Sequence, residues 1–554
     1  VIFERLSRAS SYTFTGELQL AMEKIVWTKL ESLDAGFFEN KRNERILTSA
    51  IVSTSVANDF FRFLRERLGN FTTVIAIIPL LGFVSWQLLI FVAAMTFLQV
   101  ILSEISRKQE IALSTLEDRQ REKFWKVEWA LTHDFHTLKT LGASQHFLDQ
   151  YQTLSRERVL LNLKRENANQ VLRTYEWILN NALTVGANLF VGWQVLQGNL
   201  SLGTFTLVVS YTLQLNNVFR SVMSSMKDWR DIDLSFDRLQ FFFMLKARIQ
   251  KVKNGIKIVI KSTKIEFKNV RFTYPDLLVE ERKYLEMMIA KTKGFLSKFS
   301  SYYYQHEFEE WQKVLAEKPS KQEVLKGVDL KIPRGRIVAL LGRNGAGKTT
   351  ITHLTMHHYE PTRGEVLLDG KSLFKYDQNQ LATQFGVIEQ SPFILYRFTV
   401  RENLLLGDKT AISDEEIWKV LAKLDIQKMV EELPKGLDTV LGEGTNLSGG
   451  QEQLLAVARV LLRRKPFLIF DEGMNQMDIE HETRVMNVLR EQAKGIGRNS
   501  GAGVLFITHR ITTARKADYI YMLDQGRIVE EGTHDELLKK DGLYAAFWKM
   551  QVIE

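Results

Sequence analysis

Residues 342–350 read Gly342-Arg343-Asn344-Gly345-Ala346-Gly347-Lys348-Thr349-Thr350, the spacing G-x-x-x-x-G-K-[ST] of a phosphate-binding loop. Glycines allow backbone N–H groups to turn toward phosphate oxygens with no Cβ in the way. The apolar run Ile337–Leu341 before the loop reads as a buried strand, and the segment after it can open a helix. A helix placed there aims its positive end at the phosphates. Lys348 would reach the β- and γ-phosphates, and the Thr349 hydroxyl would bind Mg²⁺. The pattern in this context implies binding of a nucleoside triphosphate.

Further along the chain, Leu447-Ser448-Gly449-Gly450-Gln451 spells LSGGQ. Phe467-Leu468-Ile469-Phe470-Asp471-Glu472 follows, an apolar run that ends in two carboxylates. It reads as a buried parallel strand delivering acid groups at its C-terminal end. Val504–His509 is another such strand ending in a histidine, and Gly386–Gln390 a third ending in an amide. In this order and spacing the motifs resemble the ATPase domain of ABC transporters over residues 264–554.

The resemblance implies a role for each residue. Asp471 would hold Mg²⁺ together with Thr349. Glu472 would be the general base that orients the attacking water, which needs no unusual pKa in a loose transition state. Gln390 would contact Mg²⁺ or water and sense the membrane domain, and His509 would touch the γ-phosphate. Tyr274, in Phe272-Thr273-Tyr274-Pro275, matches the aromatic that stacks on adenine; an edge-strand packing role is the plainer reading. In this family LSGGQ completes the site of a second ATPase domain, so two ATP molecules lie between two domains. One phosphate loop and one signature in this chain therefore imply a partner chain. A homodimer is favoured because Glu472, His509 and the signature are intact, and a heterodimer remains open. Asp478 is kept, but the family's Ser-Ala-Leu-Asp is here Asn475-Gln476-Met477-Asp478. Glu452 stands where a basic residue is usual, and Glu443 matches the acidic residue that meets the partner's membrane domain.

The first 245 or so residues differ in kind. They hold one proline, Pro79, which permits long helices. Residues 71–102 carry no charge and are flanked by Arg62, Arg65 and Arg67 before and by Arg107 and Lys108 after. A membrane span needs about 20 apolar residues, and basic flanks favour the cytosolic side. The run therefore reads as a hairpin with both ends cytosolic, with Pro79, Gly82 and Trp86 as candidates for the outer turn. Residues 176–222 read alike, turning at Gln197-Gly198-Asn199-Leu200-Ser201. The charged, helix-prone stretch 104–172 reads as helical extensions into the cytosol. This layout resembles the membrane domain of ABC exporters, with Ser32–Asn40 and His133–Lys139 as the first and second coupling regions. Two hairpins supply fewer membrane helices than the family carries. The expectation is that the first helix and most of the second precede Val1.

The expected fold is thus an all-α transmembrane domain (1–245), a linker (246–263) and an α/β P-loop NTPase domain (264–554). An insertion at 276–323 reads as a solvated helical element near the nucleotide pocket, or as a regulatory or partner-docking one. A net charge of +9 suits cytosolic flanks near anionic lipid, and no base-reading motif supports a nucleic-acid partner. With no cysteine there is no disulfide or thiol switch. The resemblance implies ATP and Mg²⁺ as cofactors and ATP-driven export of an unidentified substrate. It places the chain in a membrane as a multi-pass protein, the cell membrane in a prokaryote, with the ATPase domain in the cytoplasm. The alternatives are a lipid flippase of the same architecture and a regulatory ATPase that gates a channel.

Overall fold

A computed structural model describes residues 2–39, 53–84, 123–199, 201–249, 264–275, 279–293, 322–406, 412–442, 447–495 and 501–552, with isolated residues between these stretches. The chain divides into two compact units. One is helical and comprises residues 1–32, 41–246 and 277–318; the other comprises 33–40, 247–276 and 319–554.

The helical unit is built from long elements. Helix α1 spans Ile2–Ser32. A short helix, α2 (Ala35–Phe38), follows and belongs to the second unit. Helix α3 (Val56–Val84) begins among charged residues and continues into the apolar run. After α4 (Phe135–Thr140) come α5 (Ser144–Leu196) and α6 (Leu202–Met244). With 53 residues, α5 reaches about 80 Å at the usual rise per residue. The polar turn expected at 197–201 lies where α5 ends, and Ser201 caps α6 by accepting from the Thr204 N–H. The turn proposed near Pro79 is corrected: Pro79 and Gly82 both lie inside α3. A proline removes one helical hydrogen bond but does not by itself reverse a helix whose other residues are apolar and helix-prone. Most of residues 85–119, including the rest of that run, lie outside the described residues. Among the described residues, no helix is long and apolar enough to cross a membrane.

The insertion contributes α7 (Val279–Lys293), which packs within the helical unit. Tyr284 is buried, its ring stacked on Phe241 of α6 at 4.2 Å between centroids. Its hydroxyl donates to the Asp237 carbonyl. A buried tyrosine needs such a partner for its polar end, and α6 provides it.

The second unit carries two sheets. A four-stranded antiparallel sheet has the order β2-β1-β4-β5, from β1 (Lys264–Phe272), β2 (Leu325–Pro333), β4 (Arg363–Leu368) and β5 (Lys371–Ser372). A six-stranded sheet has the order β10-β9-β3-β8-β7-β6. Its strands are β3 (Ile337–Gly342), β6 (Phe385–Ile388), β7 (Phe467–Asp471), β8 (Gly503–Thr508), β9 (Tyr519–Asp524) and β10 (Arg527–Gly532). Only the β9–β10 pair is antiparallel. Strands β3, β7 and β8 are buried throughout, as continuous apolar runs in a covered parallel sheet should be. The registers Leu341↔Thr508, Asp471↔Ile507 and Ile388↔Phe470 bring the C-terminal ends of β3, β6, β7 and β8 to one edge. Ligands bind outside that edge in open α/β sheets.

Around this sheet lie α8 (Lys348–Thr355), α9 (Gly449–Leu462), α10 (Ile479–Lys494) and α11 (Leu543–Val552). One buried carboxylate pins the segment after β8. Glu482 of α10 accepts from Thr513 Oγ1 at 2.8 Å and lies 3.3 Å from Arg510 and 3.5 Å from Lys516. Glu482→Ala leaves two cations and a buried hydroxyl without their acceptor, at a cost of about 3 kcal/mol. Thermal unfolding of the purified protein should show a clearly lower midpoint. Lys423→Ala, which removes the solvent-exposed pair with Glu491, should move it little.

Candidate functional site

The phosphate loop is shaped by its glycines. Gly345 and Gly347 adopt φ of +79° and +106°, which other residues reach only with strain. A Cβ on Gly342 would come within 2.3 Å of the Leu523 carbonyl oxygen, so β3 can lie this close to β9 only with glycine there. Lys348 opens α8 and is buried, donating to the carbonyls of Gly342 at 2.9 Å and Arg343 at 3.1 Å. The lysine thus braces the loop from within.

A cleft of about 770 Å³ adjoins the loop. Asn344, Gly345, Gly347, Lys348, Thr349, Thr350, Gln390, Asp471 and Glu472 all line it. Gly342, Arg343 and Ala346 are not part of this lining; Arg343 instead lies over the Phe547 ring of α11, 5.4 Å from its centroid. Asp471 accepts from Thr352 Oγ1 at 3.2 Å. Burial raises its pKa, opposed by the Thr352 hydroxyl and the nearby Lys348 charge. Thr349, Asp471 and Gln390 form an all-oxygen donor set in one cleft, with a buried carboxylate at its base. Such a set fits a hard cation like Mg²⁺.

Glu472 is the meeting point. It follows β7 with φ of +53°, unusual for a non-glycine residue. Its Oε2 accepts from Gln390 Nε2 at 3.2 Å and from Asn475 Nδ2 at 3.0 Å. Its Oε1 lies 3.1 Å from His509 Nδ1 and 3.7 Å from Lys348 Nζ. The structure therefore brings Lys348, Gln390, Glu472 and His509 together. It adds Asn475, visible in the sequence only as a departure from a family pattern.

Tyr274 stands outside the cleft lining. Its hydroxyl bonds Thr350 Oγ1 at 3.0 Å, and its ring packs edge-on against Phe272 and Tyr359. In this arrangement the ring is partly a packing element beside the loop.

The signature lies apart from the phosphate loop. Ser448 caps α9 in a reciprocal capping box with Gln451. Ser448, Gly449, Gly450, Gln451, Gln476 and Asp478 line a second cleft of about 690 Å³. Asp478 caps α10 by accepting from the His481 N–H at 2.8 Å, which lowers its pKa. Glu452 accepts a hydrogen bond from the Tyr396 hydroxyl. Glu443 lies outside the described residues.

The first coupling region was expected at Ser32–Asn40. Asp34 caps α2, and the Tyr359 hydroxyl donates to the Gly36 carbonyl at 3.2 Å. The Glu39 carboxylate lies 3.0 Å from His353 Nδ1 and 2.7 Å from His358 Nδ1. Sequence reasoning missed this cluster, because Glu39 and the histidines are more than 300 positions apart.

A parallel sheet that gathers a phosphate loop, an Asp-Glu pair, an amide and a histidine at one edge defines a nucleotide-binding domain of the phosphate-loop class. The model for the ABC transporter family matches residues 325–475, and that for the ABC transporter transmembrane region matches residues 6–219. A mitochondrial potassium channel ATP-binding subunit from Rattus norvegicus is 28% identical over 97% of this chain and 69% of its own length. The ATP-dependent lipid A-core flippase of Escherichia coli (strain K12) is 26% identical over 98% of this chain and 86% of its own. A solved structure of a bacterial Atm1-family ABC exporter with ATP bound matches the fold with a TM-score of 0.73 at 24% identity. It covers 100% of this chain and 88% of that one. The chain belongs to the ABC transporters, with a helical transmembrane region preceding an ATP-binding domain in one chain, and its fold is that of the solved exporter. It is a membrane protein whose ATP-binding domain hydrolyses ATP.

Two histidines near the phosphate loop, His357 buried and His353 partly buried, give the domain a pH dependence. Burial lowers the pKa of His353 and of His357 below the ordinary 6.5. As pH falls below that value the unfolded chain binds protons that the folded chain resists, so stability declines. Acidification from about pH 7 to about pH 5 should lower the thermal midpoint. His353→Asn with His357→Asn should flatten that decline.

Proposed function

We propose that the 770 Å³ cleft holds ATP with Mg²⁺, and that Glu472 orients the water that attacks the γ-phosphate. Lys348 and the loop amides bind the phosphates, with Gly342, Arg343, Asn344, Gly345, Ala346, Gly347 and Thr350 forming the loop. Thr349, Asp471 and Gln390 hold Mg²⁺, which when bound neutralises phosphate charge. His509 meets the γ-phosphate, and Tyr274 stacks on adenine after leaving Thr350. Supporting this reading, Lys348, Gln390 and His509 come from three separated segments and converge on the Glu472 carboxylate.

The partner is a second copy of the chain. Within one chain, Ser448, Gly449, Gly450 and Gln451 line a cleft of their own rather than the nucleotide cleft. Two chains facing each other would set each signature, with Asp478 beside it, against the other's phosphate loop. Both half-sites of such a pair carry Glu472 and His509, so a homodimer is competent. ATP would close the two domains, and the coupling segments would pass that closure to a multi-pass membrane domain, with the ATPase domains in the cytoplasm. The transported substrate is of lipid type in the flippase relative. An ATP-binding role beside a channel is the alternative, favoured by the name of the rat relative.

The test uses the full gene product in lipid nanodiscs. Glu472→Gln should lower ATP hydrolysis by about 10²-fold or more while ATP binding persists. An unchanged rate would remove Glu472 from its role, and no hydrolysis by the native chain alone would point to a different partner chain. ATP-dependent movement of labelled lipid, set against ATP-dependent ion flux, separates the exporter from the channel regulator.

A further inference from the structure

We infer that Asn475 is the positioning residue for the Glu472 carboxylate, the one donor able to stay on it through the ATP cycle. This rests on the reading of Glu472 given above. Among the described residues, four side chains surround the carboxylate, two at each oxygen. Three of them have other work once ATP binds. Lys348 turns to phosphate, Gln390 to the cation and His509 to the γ-phosphate. Each also belongs to a different segment, so its distance from Glu472 changes when those segments move.

Asn475 differs in both respects. It sits three positions after Glu472 in a turn closed by the Asn475 N–H donating to the Glu472 carbonyl at 3.2 Å. The side-chain amide then reaches back to Oε2 at 3.0 Å. The turn is held from outside as well: the Glu472 N–H donates to the Ile507 carbonyl at 3.0 Å, and the Gln476 N–H to Gln453 Oε1 at 3.1 Å. A Cβ on Gly473 would come within 2.5 Å of Ile388, so the turn is packed tightly against β6. Donor and acceptor therefore ride on one rigid piece of backbone. The bond is charge-assisted, which makes it stronger and more directional than a neutral pair. A glutamate side chain is otherwise free to sample many rotamers. Fixing it matters because small misplacements of a reacting group cost large factors in rate.

Two substitutions separate this role from a turn-forming one. Asn475→Gly removes the amide and places glycine where this kind of turn readily accepts it. Asn475→Asp keeps a good turn residue of the same shape but replaces the donor with an acceptor. Both are measured in the full protein in nanodiscs, with Glu472→Gln alongside. We expect kcat to fall about tenfold or more in both variants, with KM for ATP and the affinity for a fluorescent ATP analogue within about twofold of native. Native kcat in either variant would overturn the inference: a loss only in Gly would show a turn role, and a loss only in Asp would show mere repulsion. A rise in KM with kcat intact would overturn it too. If Glu472→Gln itself leaves the rate unchanged, the reading of Glu472 fails, and the inference with it.

Discussion

The Glu472 carboxylate and the donors around it depend on a geometric condition, that several chain segments end at the same level. Parallel strands supply it. The registers of β6, β7 and β8 against one another, and of β8 against β3, align their C-terminal ends. Gln390, Glu472, His509 and the phosphate loop then leave the sheet along one edge. A shift of one residue in any register would reverse which face a strand presents and carry its terminal side chain away. The buried apolar runs of β3, β7 and β8 hold that register, because a slipped strand would lose its fit to the layers on both faces.

Left-handed backbone and close approach occur at that edge as they do elsewhere in the unit. Glu472 itself has positive φ, and Gly345 and Gly347 do so in the phosphate loop. Gly342 is forced by the neighbouring Leu523 carbonyl. Such conformations persist only where the surroundings over-determine them. Here they are held by the backbone bond from Glu472 to Ile507, by the Lys348 bonds to the loop carbonyls and by the Thr352 bond to Asp471. Behind the edge, Glu482 fixes Arg510, next to His509. Gln551 accepts from the Ile511 N–H and donates to the His509 carbonyl. The histidine that meets the carboxylate is thus set from α10 and α11 as much as from its own strand.

The separation of the two clefts has a different origin. The signature caps a helix, α9, and its glycines line the second cleft. Gln476 leans over the same glycines: a Cβ on Gly449 would come within 2.0 Å of its Oε1. The loop after Glu472 therefore touches both the Glu472 carboxylate, through Asn475, and the signature surface, through Gln476. One short turn links the nucleotide cleft to the second cleft, which the signature lines.

Some of this was legible in the linear order. The phosphate loop, the Asp-Glu pair, the signature and the buried strands follow from residue type and spacing, because each motif is local and its chemistry lies within a few residues. The long helices of the first unit and the turn at 197–201 were legible for the same reason. The outer turn near Pro79 was misread, since a proline weakens a helix without ending it, and α3 runs on through it. The packing of α7 on Phe241 and the gathering of Glu39 with two histidines depend on pairings across long stretches of chain. So does the placing of Arg343 on Phe547 rather than in the cleft lining. The sequence by itself determined which groups are candidates for binding and hydrolysing a triphosphate. Only the tertiary structure decided which of them share a carboxylate, because hydrogen bonds are short-ranged and directional, and the sheet register alone sets which strand ends meet.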